Sequence, residues 1–191
     1  QDIYAVVKLH MSGTTFEKVG EYVVMENGIS ASKSGIDVLS VDAGKTTLLL
    51  KTGGTFYTAE VPHDQTSGEL TAVTRFSINT TGVSLTTGAV LDVTGWTWQD
   101  CGYHDGRLYV PVCKGASTVV AVYSILNEDG TVKSGALSPD KDCSIQIGDV
   151  NHRVVEVESC AVYDGKLYFN ANRTLPDGGK DCDCVAWTAL P

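Results

Sequence analysis

The stretch CGYHDGRLYVPV, residues 101–112, decides the fold of this 191-residue chain, because CAVYDGKLYFNA repeats its pattern at residues 160–171. Each copy places an Asp-Gly pair between two runs that are rich in aromatic and β-branched residues. Such a pair is the strongest short-range signal for a two-residue β-hairpin turn, since glycine tolerates the positive φ that the turn requires. The repeated stretch therefore predicts two similar hairpins.

The position of each turn fixes the pairing of the strands on either side of it. In the first hairpin His104 is predicted to face Arg107, and in the second Tyr163 is predicted to face Lys166. A fainter third copy surrounds Asp42, where GIDVLSV and TTLLLKT flank the letters DAGK, one residue longer at the turn. The pattern thus recurs about every 60 residues, which is the spacing of a repeated structural unit.

Alternating apolar segments accompany the hairpins: YAVVKLHMSG opens the chain at residues 4–13, and VAVYSILNEDG follows the first Asp-Gly hairpin at residues 120–130. Twenty glycines and the lack of an apolar pattern at helical spacing argue for an all-β chain. Four-stranded units at a fixed period are typical of β-propeller blades. The repeated phrase YDGKLY, with VAVY, resembles the generic propeller blade of bacterial surface proteins and phage tail proteins.

We therefore expect a single all-β repeat domain over residues 1–191, with approximate repeats 1–64, 65–129 and 130–191. The repeats would form about three four-stranded antiparallel blades and a partial one, as a β-propeller or propeller arc, and a β-sandwich is the alternative. A closed propeller has four to eight blades, so we expect self-association or a second chain to complete the ring.

Charge and hydropathy limit the partners of the chain. The formal net charge is −9, and the 14 basic residues are scattered singly, which argues against nucleic acid as a partner. The longest clean apolar run, VVAVYSIL at residues 119–126, is far shorter than the roughly 20 residues that span a bilayer, so no membrane insertion is expected. Six cysteines permit disulfides without requiring them.

Aromatic residues are the best candidates for ligand binding, because their faces stack on sugar rings and anchor protein interfaces. Four residues near the two hairpin turns form the predicted ligand-binding set: Trp98, Tyr103, His104 and Tyr163. The alternative is that these aromatic residues belong to the core of the sheets.

The loop PDGGKDCDC, residues 176–184, contains the only candidate metal ligands. Asp177, Asp181 and Asp183 are closely spaced carboxylates that could hold Ca²⁺, whereas the neighbouring cysteines suit Zn²⁺. Both patterns are incomplete, and a solvated acidic loop is the alternative interpretation. Apart from this Ca²⁺ option, no cofactor is predicted.

Catalysis has only indirect support. SVDAGKTT, residues 40–47, resembles the Asp-box of sialidases except that Thr47 replaces the aromatic residue, and in that family the box is a structural turn. No serine or cysteine has the setting of a nucleophile. The sequence therefore favours a non-enzymatic binding module, extracellular or virion-borne, that attaches to a cell surface, a glycan or a protein. A sialidase-like or other propeller glycoside hydrolase, and a structural part of a larger assembly, are the alternatives.

Overall fold

The computed structural model describes residues 5–148, 151–181 and 183–190, and within them the chain forms β-strands joined by turns and loops, with no helix. These ranges consequently contain no helix that is long and apolar enough to cross a membrane. In chain order the strands are β1 (Ala5–Ser12), β2 (Thr15–Glu26), β3 (Ile29–Ser30), β4 (Gly35–Val41), β5 (Lys45–Thr52), β6 (Thr55–Pro62), β7 (Ser67–Thr71), β8 (Val73–Ile78), β9 (Val83–Ser84), β10 (Val90–Leu91), β11 (Thr97–Trp98), β12 (Gly102–His104), β13 (Arg107–Lys114), β14 (Ser117–Ser124), β15 (Gly135–Leu137), β16 (Ile145–Gly148), β17 (Val154–Tyr163), β18 (Lys166–Thr174) and β19 (Cys184–Ala189).

The chain divides into two compact units, one ending at Arg75 and the other beginning at Phe76. In the first unit, β1 pairs antiparallel with β2, and β2 also pairs with β3 and, in the parallel sense, with β7. Strands β4, β5 and β6 form an antiparallel meander. Side chains from these strands, together with Ala72 directly after β7, form one apolar core: Tyr22, Val24, Leu48, Leu50, Tyr57, Ala59, Val61, Leu70 and Ala72.

In the second unit, β13 lies at the centre of a sheet that also contains β11, β12, β14 and β16. Strands β17, β18 and β19 form a second, three-stranded antiparallel sheet. The end of β8 pairs in the parallel sense with β15, and β9 pairs with β10. One apolar core of this unit contains Tyr109, Val120, Val122, Cys160 and Leu167.

Both predicted Asp-Gly hairpins are present with the predicted register. His104 pairs with Arg107, and Tyr163 pairs with Lys166. The two turn residues of each hairpin have positive φ, for example 47° at Asp105 and 77° at Gly106. Positive φ at both central residues defines the type I′ turn, which matches the twist of the flanking strands.

The third copy also forms a hairpin, but its turn is of another kind. The backbone N–H of Asp42 donates to the carbonyl of Lys45 at 2.9 Å, so that Ala43 and Gly44 are the central residues. Neither of them has positive φ. Asn27-Gly28 forms a further hairpin turn, with φ of 52° and 78°, that the repeat-based prediction overlooked although Asn-Gly is a strong signal for it.

Four sheets in the described part of the chain contain three or more strands, compared with the expected three and a partial one. Most strand pairs in them are antiparallel, and the strands are joined mainly by tight hairpin turns. Small, mostly antiparallel sheets of this kind are the building units of β-propellers. The all-β, propeller-type fold class is confirmed.

Candidate functional site

The three-stranded sheet β17–β18–β19 has one face in the core and one face open to solvent. Along β18 the side chains of Leu167 and Ala171 are buried, as expected from the period of two in a strand. The alternate residues point the other way and form a row along the open face: Lys166, Tyr168, Asn170, Asn172 and Thr174. With about 3.4 Å per residue, this row is about 27 Å long, so the open face suits an elongated ligand.

One end of the open face is aromatic. Tyr163 on β17 is 73% exposed, and Trp187 on β19 is 56% exposed. Tyr168 pairs directly with Trp187, and the ammonium nitrogen of Lys166 lies 4.3 Å from the centre of a Trp187 ring. This cation–π contact holds the indole in place, and it leaves a large aromatic surface in solvent.

A shallow cavity of about 220 Å³ lies in the middle of the open face. The residues that line it include Tyr168, Phe169, Asn170 and Val185. The side-chain carbonyl of Asn170 accepts hydrogen bonds from the backbone N–H of Ser159 at 3.0 Å and from its hydroxyl at 2.7 Å. Asn170 is therefore fixed in orientation beside the exposed apolar surface.

The other end of the open face is polar, and strand β17 contains a β-bulge there. The register of β17 against β18 shifts between Val157 and Ser159, so that Glu158 is the extra residue. A β-bulge of this kind changes the direction in which neighbouring side chains point. Glu158 accepts a hydrogen bond from the side-chain amide of Asn172, and Glu156 accepts one from Gln99 at 2.6 Å.

The surroundings of Glu158 disfavour the ionised form of its carboxyl group. Partial burial raises its pKa, as does the negative charge of Glu156. The hydrogen bond from Asn172 lowers the pKa and opposes these effects, whereas the charge of Asp183 raises it slightly further. Glu158 therefore retains its proton to a higher pH than an ordinary glutamate does.

A larger cavity of about 420 Å³ lies at this polar end, and its lining contains both charge signs: Glu156, Asn172, Arg173, Thr174, Lys180, Asp181 and Asp183. The Asp181 carboxylate lies 2.8 Å from Nε2 of His152 and 3.3 Å from the guanidinium of Arg173. These contacts fix the loop before β19 against the sheet, so that the cavity has a defined wall.

The three predicted metal ligands do not gather around one point. Asp181 is engaged by His152 and Arg173, whereas the carboxylate of Asp177 accepts the backbone N–H of Gly179 at 2.8 Å. Asp183 lines the cavity at the polar end. Among the described residues no group of three acidic, histidine or cysteine side chains is arranged to hold a metal ion. Ca²⁺ binding in this loop stays a prediction without geometric support.

The predicted ligand-binding residues are divided between two sheets. Tyr163 lies on the open face, whereas Trp98, Tyr103 and His104 belong to the sheet around β13. Trp98 is half-buried opposite Val112. The phenol oxygen of Tyr103 accepts the backbone N–H of Gly106 at 3.2 Å, and His104 is exposed.

Tyr168, Trp187 and Lys166 were not among the predicted ligand-binding residues, although Lys166 was predicted to face Tyr163 across the second hairpin. The alternation of KLYFNAN, residues 166–172, was the available signal, since it places one lysine, one tyrosine and two asparagines on the same face of a strand. The contribution of Trp187 was not visible, because pairing between β18 and β19 is a tertiary property.

The cysteines are part of the packing. The described cysteines, Cys101, Cys113, Cys143, Cys160 and Cys184, carry thiols that are not joined in disulfides. Burial raises the pKa of the Cys113 thiol, which keeps it protonated and unreactive.

Comparison of the chain with models of protein families, with curated proteins and with solved structures gives no significant match.

Proposed function

We propose that this chain is a non-enzymatic binding module, extracellular or virion-borne, and that the open face of the β17–β18–β19 sheet binds a glycan. The observation that carries the proposal is the combination on one sheet face of exposed aromatic rings with fixed polar groups. Tyr163 and Trp187 offer apolar faces, and Asn170, Asn172 and Glu156 follow along the same surface.

A sugar ring needs both kinds of group. Its C–H faces stack on aromatic rings, and its hydroxyl groups need hydrogen-bond donors and acceptors that are already oriented. Asn170 and Asn172 meet this need because neighbouring side chains fix their amide groups. The location outside the cell rests on the likeness of the repeat to blades of bacterial surface and phage tail proteins.

The proposal is tested by measuring retention of the protein on immobilised oligosaccharides of varied composition. We expect Tyr163→Ala and Trp187→Ala each to weaken binding to the retained glycan about tenfold, which corresponds to about 1.4 kcal/mol of stacking. Phe16→Ala is the matched control, because Phe16 is an equally exposed aromatic residue, 65% exposed, on another strand. This control should bind normally.

His104→Ala decides between the two sheets that carry predicted ligand residues. If the ligand lies on the open face, this variant binds normally. Loss of binding in His104→Ala with normal binding in Tyr163→Ala would move the site to the first hairpin. Absence of retention on every glycan by the folded protein would contradict the proposal.

One observation favours a second function, hydrolysis of a glycosidic bond. A glycosidase needs one carboxyl group that stays protonated and a second that is ionised. Glu158 has a raised pKa and interacts with Glu156, which lines the cavity at the polar end of the open face. Turnover of chromogenic glycosides that is lost in both Glu158→Gln and Glu156→Gln would establish this function, and its absence on a broad panel would support binding alone.

A further inference from the structure

Strand β19 forms an edge of its sheet, since among the described residues it pairs with β18 alone. Its six residues, Cys184–Ala189, include no charged residue and no proline, and its register against β18 runs without a shift. The outer N–H and C=O groups of such a strand are a template for another strand.

The other long edge strands in the described part of the chain carry the features that normally prevent strand addition. A charged residue and a register shift occur together in β1, with Lys8, in β4, with Asp37, and in β17, with Glu156. Strand β7 carries Glu69. The uncharged edges β15 and β16 have only three and four residues. Proteins normally protect their edge strands in these ways. The unprotected edge of β19 therefore indicates that another strand pairs with it in the functional state.

The side chains of β19 support the same interpretation. Val185 is 79% exposed and Trp187 is 56% exposed, although both are apolar. They lie two residues apart on the same face of the strand, on either side of Ala186. A valine and a tryptophan that face each other across antiparallel strands form one of the stabilising cross-strand pairs.

We propose that β19 pairs antiparallel with β19 of a second copy of this chain, around a twofold axis at Ala186. In this register Val185 of each copy faces Trp187 of the other, so that two such cross-strand pairs form on the same face of the joined sheet. The chain has a net charge of −9, and two copies repel each other at long range. An uncharged strand is suited to self-pairing because no like charges are brought together, and Asp183 falls opposite Ala189 of the second copy.

The contact is small, because six residues span only about 20 Å of sheet edge. Stable dimers usually bury about 800 Å² on each partner, which is more than one strand edge provides. The dimer is therefore reversible and depends on protein concentration. It would extend the open face into a six-stranded surface, but the pairing itself does not depend on glycan binding.

Sedimentation velocity over a wide range of protein concentration tests the proposal. The mass should rise reversibly from 20.3 kDa to twice that value. Val185→Glu and Trp187→Lys should each weaken dimerisation about tenfold or more, since each places a charge opposite an apolar residue. Val90→Lys is the matched control, because Val90 is 65% exposed in β10 and should not affect the mass.

Mixing the two variants tests the register. In a dimer of one Val185→Glu chain and one Trp187→Lys chain, the introduced carboxylate faces the introduced ammonium group, and the native valine faces the native tryptophan. The mixture should therefore dimerise more strongly than either variant alone. Failure of the mixture to recover, with both variants folded by circular dichroism, would overturn this register.

Hydrogen exchange gives a measurement on the unmodified protein. The outward backbone amides of β19 should become protected as the concentration rises, whereas those of β4 should not. The proposal would be overturned if the protein stayed monomeric at every concentration and the β19 amides stayed unprotected. The partner of this edge would then be a strand of another protein. Tyr163→Ala separates the two proposals, because Tyr163 lies on β17, at the opposite edge of the sheet. This variant should bind the glycan more weakly but form the dimer normally.

Discussion

At the scale of single residues, Gly102 marks a point where two backbones nearly touch. A Cβ atom at this position would lie 2.6 Å from the carbonyl oxygen of Cys160 and 3.2 Å from its carbonyl carbon. Both atoms belong to the backbone, which cannot move aside as a flexible side chain can. The close approach of β17 therefore explains why residue 102 is a glycine.

We predict that Gly102→Ala lowers the free energy of unfolding by about 1–3 kcal/mol, the usual cost of an additional methyl group in a packed site. Chemical denaturation measures this change. Gly44→Ala is the control, because nothing lies within 4 Å of a Cβ at Gly44 and its φ is not positive. Equal stability of the two variants would show that the backbones at Gly102 and Cys160 do not approach each other this closely.

A second prediction at this scale concerns pH. Since burial and the charge of Glu156 raise the pKa of Glu158, the folded chain holds this proton to a higher pH than the unfolded chain does. Glu158 therefore reduces stability as the pH rises from the ordinary pKa of a glutamate through the raised value.

Replacing Glu158 by glutamine removes this effect and retains a carbonyl oxygen that can accept the hydrogen bond from Asn172. We expect Glu158→Gln to be more stable than the native protein at neutral pH, by about 0.5 kcal/mol or less because the site is partly solvated. The difference should vanish below about pH 4, where both side chains are neutral. Thermal unfolding across this range measures it, and a gain that does not depend on pH would contradict the assignment.

At the scale of elements, the hairpin turns determine which residues face each other. Asp164 and Gly165 have φ of 49° and 68°, a conformation that costs most residues free energy but suits aspartate, asparagine and glycine. Because the pairing of β17 with β18 begins at this turn, the turn also sets the order of residues along the open face.

We predict that Gly165→Ala destabilises the protein by about 1–2 kcal/mol through backbone strain alone. Nothing lies within 4 Å of a Cβ at this position, so that a steric clash does not contribute. Asp164→Asn should change stability by less than about 0.5 kcal/mol, because asparagine is favoured in the same turn. Thermal unfolding of the two variants compares these effects, and a neutral Gly165→Ala would exclude the type I′ geometry.

At the scale of the whole molecule, the cysteines differ in accessibility. Cys101, Cys113 and Cys160 are buried, whereas Cys143 and Cys184 are half-buried. Cys113 also contacts the hydroxyl of Thr118 at 3.0 Å. These cysteines therefore contribute to the packing of the second unit as small apolar side chains.

We predict that a thiol reagent labels Cys143 and Cys184 in the folded protein faster than it labels the three buried cysteines. Mass spectrometry of the labelled peptides measures the rates, and labelling in denaturant provides the control in which all sites react. A reductant should leave the unfolding temperature unchanged. A lower unfolding temperature in reductant would show that disulfides form in this protein.

The sequence was sufficient for the features that local chemistry encodes. Asp105-Gly106 and Asp164-Gly165 predicted the turns and the register, because a type I′ turn admits few residues. The parallel pairings of β2 with β7 and of β8 with β15 were not predictable, since no local signal encodes contacts between distant segments. For the same reason Trp187, which the pairing of β18 with β19 places opposite Tyr168, was not predicted as part of the ligand site.

The close approach at Gly102 also limits how far the repeats can be exchanged. Gly102 follows Cys101 in the first hairpin, and Ala161 follows Cys160 at the corresponding position of the second. A designer who averaged the repeats into one consensus unit, or grafted the second hairpin onto the first, would introduce a methyl group where the carbonyl of Cys160 leaves no room for it. The two similar hairpins are therefore not interchangeable at this position.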